Sequence, residues 1–268
     1  MGRTNGIYIS DNFRSVKWFE VAEGVQNGSI LVFRVSSLVL CFFLAIEREL
    51  KGYKFTEAQL SRMLGGTKIH YAQEKYGSQG YITENEKRFW IKHKTLPYVV
   101  SGRLDTIFTD FYGMFINDYK SSELGAFWFR LKTGCSPDHI MQMSIYAFLF
   151  YLLNGFEQKF GTVTYAARKN TIQINKAKQK GEVLPYHKRV NHERTKLTLE
   201  CRLFTLEAVE HFLTTHPIIL MKLNNQPITD FKEELYKWAM KHKFWCTDCP
   251  VKECKFNGGK YDFEKNIE

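Results

Sequence analysis

The stretch that decides the reading is Pro97 to Lys120, PYVVSGRLDTIFTDFYGMFINDYK. Pro97 to Phe108 reads as a strand and Met114–Lys120 as another. Phe111, Tyr112 and Gly113 join them, so the two are expected to form a hairpin. Side chains two apart on a strand share a face. Asp118 and Lys120 therefore project together from the end of the apolar run Met114-Phe115-Ile116, and Tyr119 points the other way. Asp105 lies in the partner strand, three residues after Gly102, which lets the backbone bend or approach closely. Two carboxylates on adjacent strands can hold a divalent metal through oxygen. A lysine beside them can orient a water or offset charge on phosphorus. The same Asp-x-Lys is also what a solvated ion pair at a strand edge looks like. What sets this one apart is that the charges close an apolar strand.

Outward from the hairpin, Arg88–Lys94 alternates as a strand. After Pro137 a helix is expected over His139–Leu153, ended by Asn154-Gly155. Gly161–Arg168 and Lys196–Phe204 read as strands, and Leu206–Leu223 and Phe231–Lys241 as helices. On the N-terminal side, Ser36 and Ser37 are placed to cap a helix over Leu38–Leu50 that is apolar nearly all round. A second helix is expected over Glu57–Tyr76, interrupted by Gly65 and Gly66. Residues 1–34 show weak periodicity and read as an extension, residues 35–256 as the main domain, and 257–268 as a tail.

The chain has 268 residues, 44% of them hydrophobic, enough apolar material for a core. Its net charge of +10 favours a polyanionic partner, nucleic acid first among them. The Lys- and Arg-rich stretch Arg168–Lys196 fits a phosphate backbone, or simply a solvated loop between two strands. Phe127 and Trp128, soon after the Asp-x-Lys, could stack on unpaired bases or serve as core. The N-terminus is polar, and the most apolar stretch, Leu38 to Ile46, is too short to span a bilayer. An intracellular, cytoplasmic location with no membrane partner is the expectation.

In such a compartment, cysteines more often bind metal than form disulfides. Cys246-Thr-Asp-Cys249-Pro-Val-Lys-Glu-Cys254 is a compact thiolate nest suited to zinc or an iron–sulfur cluster. A fourth ligand must come from elsewhere, with Cys41 or His242 as candidates. Cys135, in a loop, and Cys201, in a strand, read as structural.

Taken in order, Gly102-Arg-Leu-Asp105, Asp118-Tyr-Lys120 and Gln142-Met-Ser-Ile-Tyr146 resemble the three successive motifs of the RecB-like nucleases of the PD-(D/E)xK superfamily. Gly66-Thr-Lys-Ile-His70 resembles the G-x-x-x-H helix start found upstream in many members. Ser36 to Cys41 together with the C-terminal trio resembles the CRISPR-associated, Cas4-type exonucleases. The resemblance implies an α/β fold with a central mixed sheet flanked by helices. It also implies a cluster lobe that joins the N- and C-terminal segments. His70, Asp105, Asp118 and the Tyr119 carbonyl would hold Mg²⁺ or Mn²⁺, and Lys120 would be catalytic. Arg103, Gln142 and Tyr146 would bind substrate, and Cys41, Cys246, Cys249 and Cys254 would hold a [4Fe–4S] cluster, with Zn²⁺ as the alternative. The activity implied is metal-dependent DNA exonuclease action on single strands or ends. Its setting would be CRISPR adaptation beside an integrase, in antiviral defence, or viral and mobile-element replication and recombination. The rival expectations are a catalytically silent nucleic-acid-binding module and a zinc-stabilised structural or interaction protein.

Overall fold

The computed structural model of the chain describes residues 18–21, 30–39, 82–110, 113–122, 124–167, 177, 179–182 and 196–225. His70, Cys41, Cys246, Cys249 and Cys254 lie outside the described residues, as do residues 40–50 of the helix expected over Leu38–Leu50 and the helices expected over Glu57–Tyr76 and Phe231–Lys241.

The elements run β1 (Trp18–Glu20), β2 (Leu31–Arg34), α1 (Val35–Leu38), β3 (Ile82–His93), β4 (Tyr98–Asp110), β5 (Gly113–Ser122), α2 (Leu124–Thr133), α3 (Pro137–Asn154), β6 (Phe160–Ala167), β7 (Lys196–Arg202), α4 (Leu206–Thr215) and α5 (Pro217–Leu223). The strands form one mixed sheet in the order β1-β3-β4-β5-β6-β7, with β2 joined to β4. The β2–β4 and β5–β6 pairs are parallel and the others antiparallel. The fold is therefore α/β, with a mixed central sheet and flanking helices. No helix among the described residues is long and apolar enough to cross a membrane.

The expected hairpin is present, with Thr106–Asp110 against Gly113–Asn117. The helix after Pro137 is also present, and Gly155 ends it at φ 69°, its N–H returning to Tyr151 O at 2.7 Å. Residues 142–151 of α3 are all buried, with Phe148 and Leu149 fully so. Each large apolar side chain buried this way is worth roughly 1.5–3 kcal/mol, which fixes α3 against the sheet. Gly161 and Tyr165 show which face it covers. A Cβ on Gly161 would lie 2.9 Å from Met143 Cε, and Tyr165 Oη reaches His139.

Several expectations need correcting. Trp18–Glu20 and Leu31–Arg34 pair into the sheet, although the segment up to residue 34 showed only weak periodicity. Strands of three and four residues are too short to display a period. Ser36 and Ser37 lie inside α1, whose N-cap is Arg34 without a side-chain bond. Leu206–Leu223 is two helices rather than one. Pro217 has no N–H to give and disfavours a helical residue before it. His216 accordingly turns extended, and its Nδ1 accepts from Ile218 N at 3.3 Å. Helix α2 was not foreseen.

Candidate active site at a strand fork

The pairing of β4 decides where the charged residues meet. One edge of β4 is lined by β3. Along the other edge, β2 pairs with Tyr98–Ser101, and β5 takes over only from Thr106. Gly102 to Asp105 fall in the gap between these two partners. The β4–β5 ladder ends at Asn117, and β5 continues along β6 instead, Asn117–Ser122 against Thr162–Ala167. The strands thus part just where Asp118, Tyr119 and Lys120 begin. The Tyr119 N–H that points toward the opening is taken by Asp105, whose Oδ2 accepts it at 2.7 Å. A carboxylate here does the work of the missing strand carbonyl.

Asp118 and Lys120 are register partners of Val163 and Tyr165, so they face α3. As expected from their spacing they lie together: Lys120 Nζ is ion-paired with Asp118 Oδ2. Asp105 and Asp118 are both buried. Burial disfavours the Lys120 ammonium, but Asp118 and Asp105 outweigh it and raise its pKa. Gln142 and Tyr146 come down on the same place from α3, with Gln142 Nε2 donating to Tyr146 Oη at 3.3 Å. Burial, with the Asp118 charge adding to it, pushes the Tyr146 hydroxyl up to about 12, so it keeps its proton. Gly102 earns its place through packing: a Cβ there would sit 2.6 Å from Tyr146 Cε1 and 2.8 Å from Val35 Cγ2.

Arg103 goes elsewhere. It is half-exposed and pairs with Glu86 Oε1 at 3.0 Å. Glu86 itself stands at φ 52° where the β3–β4 ladder skips, opposite Asp105. A non-glycine residue at positive φ inside a strand is uncommon, and here it marks the sheet's departure from regularity beside the carboxylate.

The structure adds four residues to those read from the sequence. His139 Nδ1 lies 2.8 Å from Tyr165 Oη, and its Nε2 is 3.7 Å from Asp138 Oδ2. Burial, then the Lys120 and Arg130 charges, hold the His139 pKa well below the usual value, so the ring is neutral. Burial raises the Asp138 carboxyl against the pull of Arg130 and Lys120. The stripe His139, Gln142, Tyr146 has helical spacing, so His139 was legible once the Gln and Tyr were. Tyr165 and Arg130 had no such signal. Cys135 and Cys201 sit next to this group, their thiols donating to Leu199 O at 3.8 Å and to Gly161 O at 3.5 Å; the influence of each on the other lowers the pKa of Cys135 and raises that of Cys201.

Asp105 and Asp118 bring hard carboxylate oxygens into a largely buried fork. That is the donor chemistry Mg²⁺ or Mn²⁺ takes, so Asp105 and Asp118 fit such an ion.

No family model matches the chain, and no curated protein does. Among solved structures it is similar to SSO0001, known from a crystal structure, at 16% identity and a TM-score of 0.43 over 82% of this chain and 87% of the other. A likeness of that size does not identify a family.

Proposed function

We propose that the chain is a metal-dependent deoxyribonuclease, an exonuclease of the RecB-like PD-(D/E)xK kind acting on single-stranded DNA or DNA ends. The observation that carries the reading is the fork itself. Asp105 and Asp118 from two diverging strands are buried beside Lys120, with Gln142 and Tyr146 above them.

A divalent ion, when bound, would polarise the scissile phosphate and lower the pKa of the attacking water. Asp105 and Asp118 would hold it, with the Tyr119 carbonyl and His70 as the further ligands the resemblance implies. Asp105 has a second task, because its bond to Tyr119 N fixes the backbone from which Asp118 and Lys120 project. The Lys120 ammonium would meet charge building on the phosphoryl oxygens, in a setting where burial strengthens that attraction. Gln142 and Tyr146 would position the strand. The [4Fe–4S] cluster on Cys41, Cys246, Cys249 and Cys254 belongs to the same proposal and would clasp the chain ends.

The test is an assay on end-labelled single- and double-stranded DNA in Mn²⁺, Mg²⁺ or EDTA. Metal-dependent degradation by wild type that is absent in folded Lys120→Ala and Asp105→Ala supports the reading. Activity surviving both substitutions means the site is misassigned. DNA binding without cleavage points to a silent binding module. The cluster is read separately: anaerobically purified protein should absorb near 400 nm and lose that band in Cys249→Ala. A colourless, zinc-loaded protein overturns the cluster.

A further inference from the structure

Soon after Lys120 the chain enters α2, Leu124–Thr133, with the sequence LGAFWFRLKT. Phe127 is buried and anchors the helix, meeting Trp128 edge to face at 5.5 Å. The residues beyond it turn outward. Trp128 is 51%, Phe129 48% and Leu131 51% exposed. Five large apolar side chains are exposed among the described residues, and three of them stand on this one helix. Their neighbours are cations. Arg130 lies over the Phe129 ring at 5.5 Å, Lys132 follows one residue after Leu131, and the helix has no acidic residue.

Protein-binding surfaces gather aromatics too, but their cores are depleted of lysine. Rings alternating with cations are what an unpaired strand needs: flat faces for its bases and positive charge for its phosphates. A duplex offers no free base faces, so the partner must be single-stranded. The helix is also adjacent to the fork. It packs against β6, the strand along which Asp118–Lys120 run, and Arg130 and Lys120 both act electrostatically on His139 and on Asp138.

We propose that α2 is a stacking platform for single-stranded DNA. Trp128 and Phe129 take bases, Arg130 and Lys132 take phosphates, and the strand held there runs to Lys120. Only the last clause rests on the nuclease reading.

Binding of the full chain is measured in EDTA, so that cleavage plays no part. The readout is fluorescence anisotropy with labelled oligo-dT and with an abasic strand of equal length. Wild type should bind oligo-dT about tenfold tighter or more, the effect expected for base stacking on a ring. Trp128→Ala with Phe129→Ala should bind both strands alike and weakly, while Trp128→Tyr keeps most of the preference. Lys132→Gln should weaken both strands equally and flatten the salt dependence. Equal binding of the two strands by wild type overturns the platform and needs no variant to fold. An unchanged preference in Trp128→Ala, a single change at a half-exposed ring, also overturns it. A wild-type dimer that becomes monomeric in the double variant, with DNA affinity unaltered, gives the face to a second copy of the chain. Base-dependent binding without any nuclease activity would sink the nuclease reading and leave the platform standing. Cleavage with base-independent binding would do the reverse.

Discussion

Among the described residues, two sets of polar groups buried at the sheet are treated differently. Around Trp18 they belong to rings and are tied off one by one. Trp18 meets His93, Tyr98 and Phe148 edge to face, with centroids 4.9, 5.6 and 6.0 Å away. Trp18 Nε1 donates to Glu210 at 3.1 Å, Tyr98 Oη donates to Leu213 O at 3.3 Å, and His93 Nδ1 accepts from Leu96 N at 3.1 Å. Each bond ties strands to helices or closes a turn. At the fork the buried groups include charges, the Asp105 and Asp118 carboxylates beside the Lys120 ammonium. Burying ions costs several kcal/mol apiece, and a buried pair is often no more stabilising than apolar side chains of the same volume. The ring cluster is therefore explained by stability, whereas the ions gathered at the fork are not explained by stability alone. Ionisable groups gathered in one buried place are where chemistry is to be sought.

The sharpest way to break this contrast is to remove the charges. Asp118→Asn with Lys120→Met should abolish metal-dependent DNA cleavage, a loss of about 10³-fold or more in line with removing a principal electrostatic group. Stability in denaturant should stay within about 1 kcal/mol or rise. Marked destabilisation with residual activity would mean that the pair is structural.

On the ring side, His216 offers a pH test. It is buried, its Nε2 bonds Leu38 O at 2.9 Å, and Phe212 meets it edge to face. Burial pushes its pKa down to about 4, against a smaller opposing effect from the Leu38 carbonyl. Below its unfolded pKa of about 6.5 the unfolded chain gains a proton that the folded one refuses. The stability it contributes is thus complete above about pH 6.5 and is lost as pH falls toward about 4, by on the order of 3 kcal/mol. Urea melts across that window should show the slope in wild type and lose it in His216→Gln. An equal slope in both would remove His216 as its source.

Gly102→Ala joins the two regimes. The new methyl group would press on Tyr146 and Val35. Overpacking of this kind costs about 1–3 kcal/mol, and because Tyr146 hangs over the fork, cleavage should fall as well. A loss of stability with kcat intact would show that the ring is not part of the site. The smallest effect belongs to Tyr98→Phe, which removes the bond to Leu213 O and should cost about 1 kcal/mol with DNA cleavage unchanged. Any fall in cleavage beyond the fraction unfolded would link the two regions.

Much of this was visible in the residues, though unevenly. The hairpin and the shared face of Asp118 and Lys120 follow from alternation, a property of a few consecutive residues. The α3 helix and its stop at Gly155 are equally local. Arg103 sits next to the site in sequence but turns to Glu86, and nothing in Gly-Arg-Leu-Asp foretells that partner. The break at His216 was there to be read in Pro217, yet the apolar run on both sides masked it. Helix α2 went unseen because Phe127, Trp128 and Phe129 in succession have no helical stripe, two of the three rings being exposed.

The sequence by itself determined the strands around Asp105 and Asp118, the helix carrying Gln142 and Tyr146, and the basic surplus of the chain. These depend on period, turn chemistry and composition, which neighbouring residues encode. Only the tertiary structure decided that β5 leaves β4 at Asn117, that Asp105 bonds Tyr119 N across the opening, and that His139 feels the charges of both Lys120 and Arg130. Those relations join residues that share no local pattern. They exist because β2 occupies the edge of β4 that β5 would otherwise have followed.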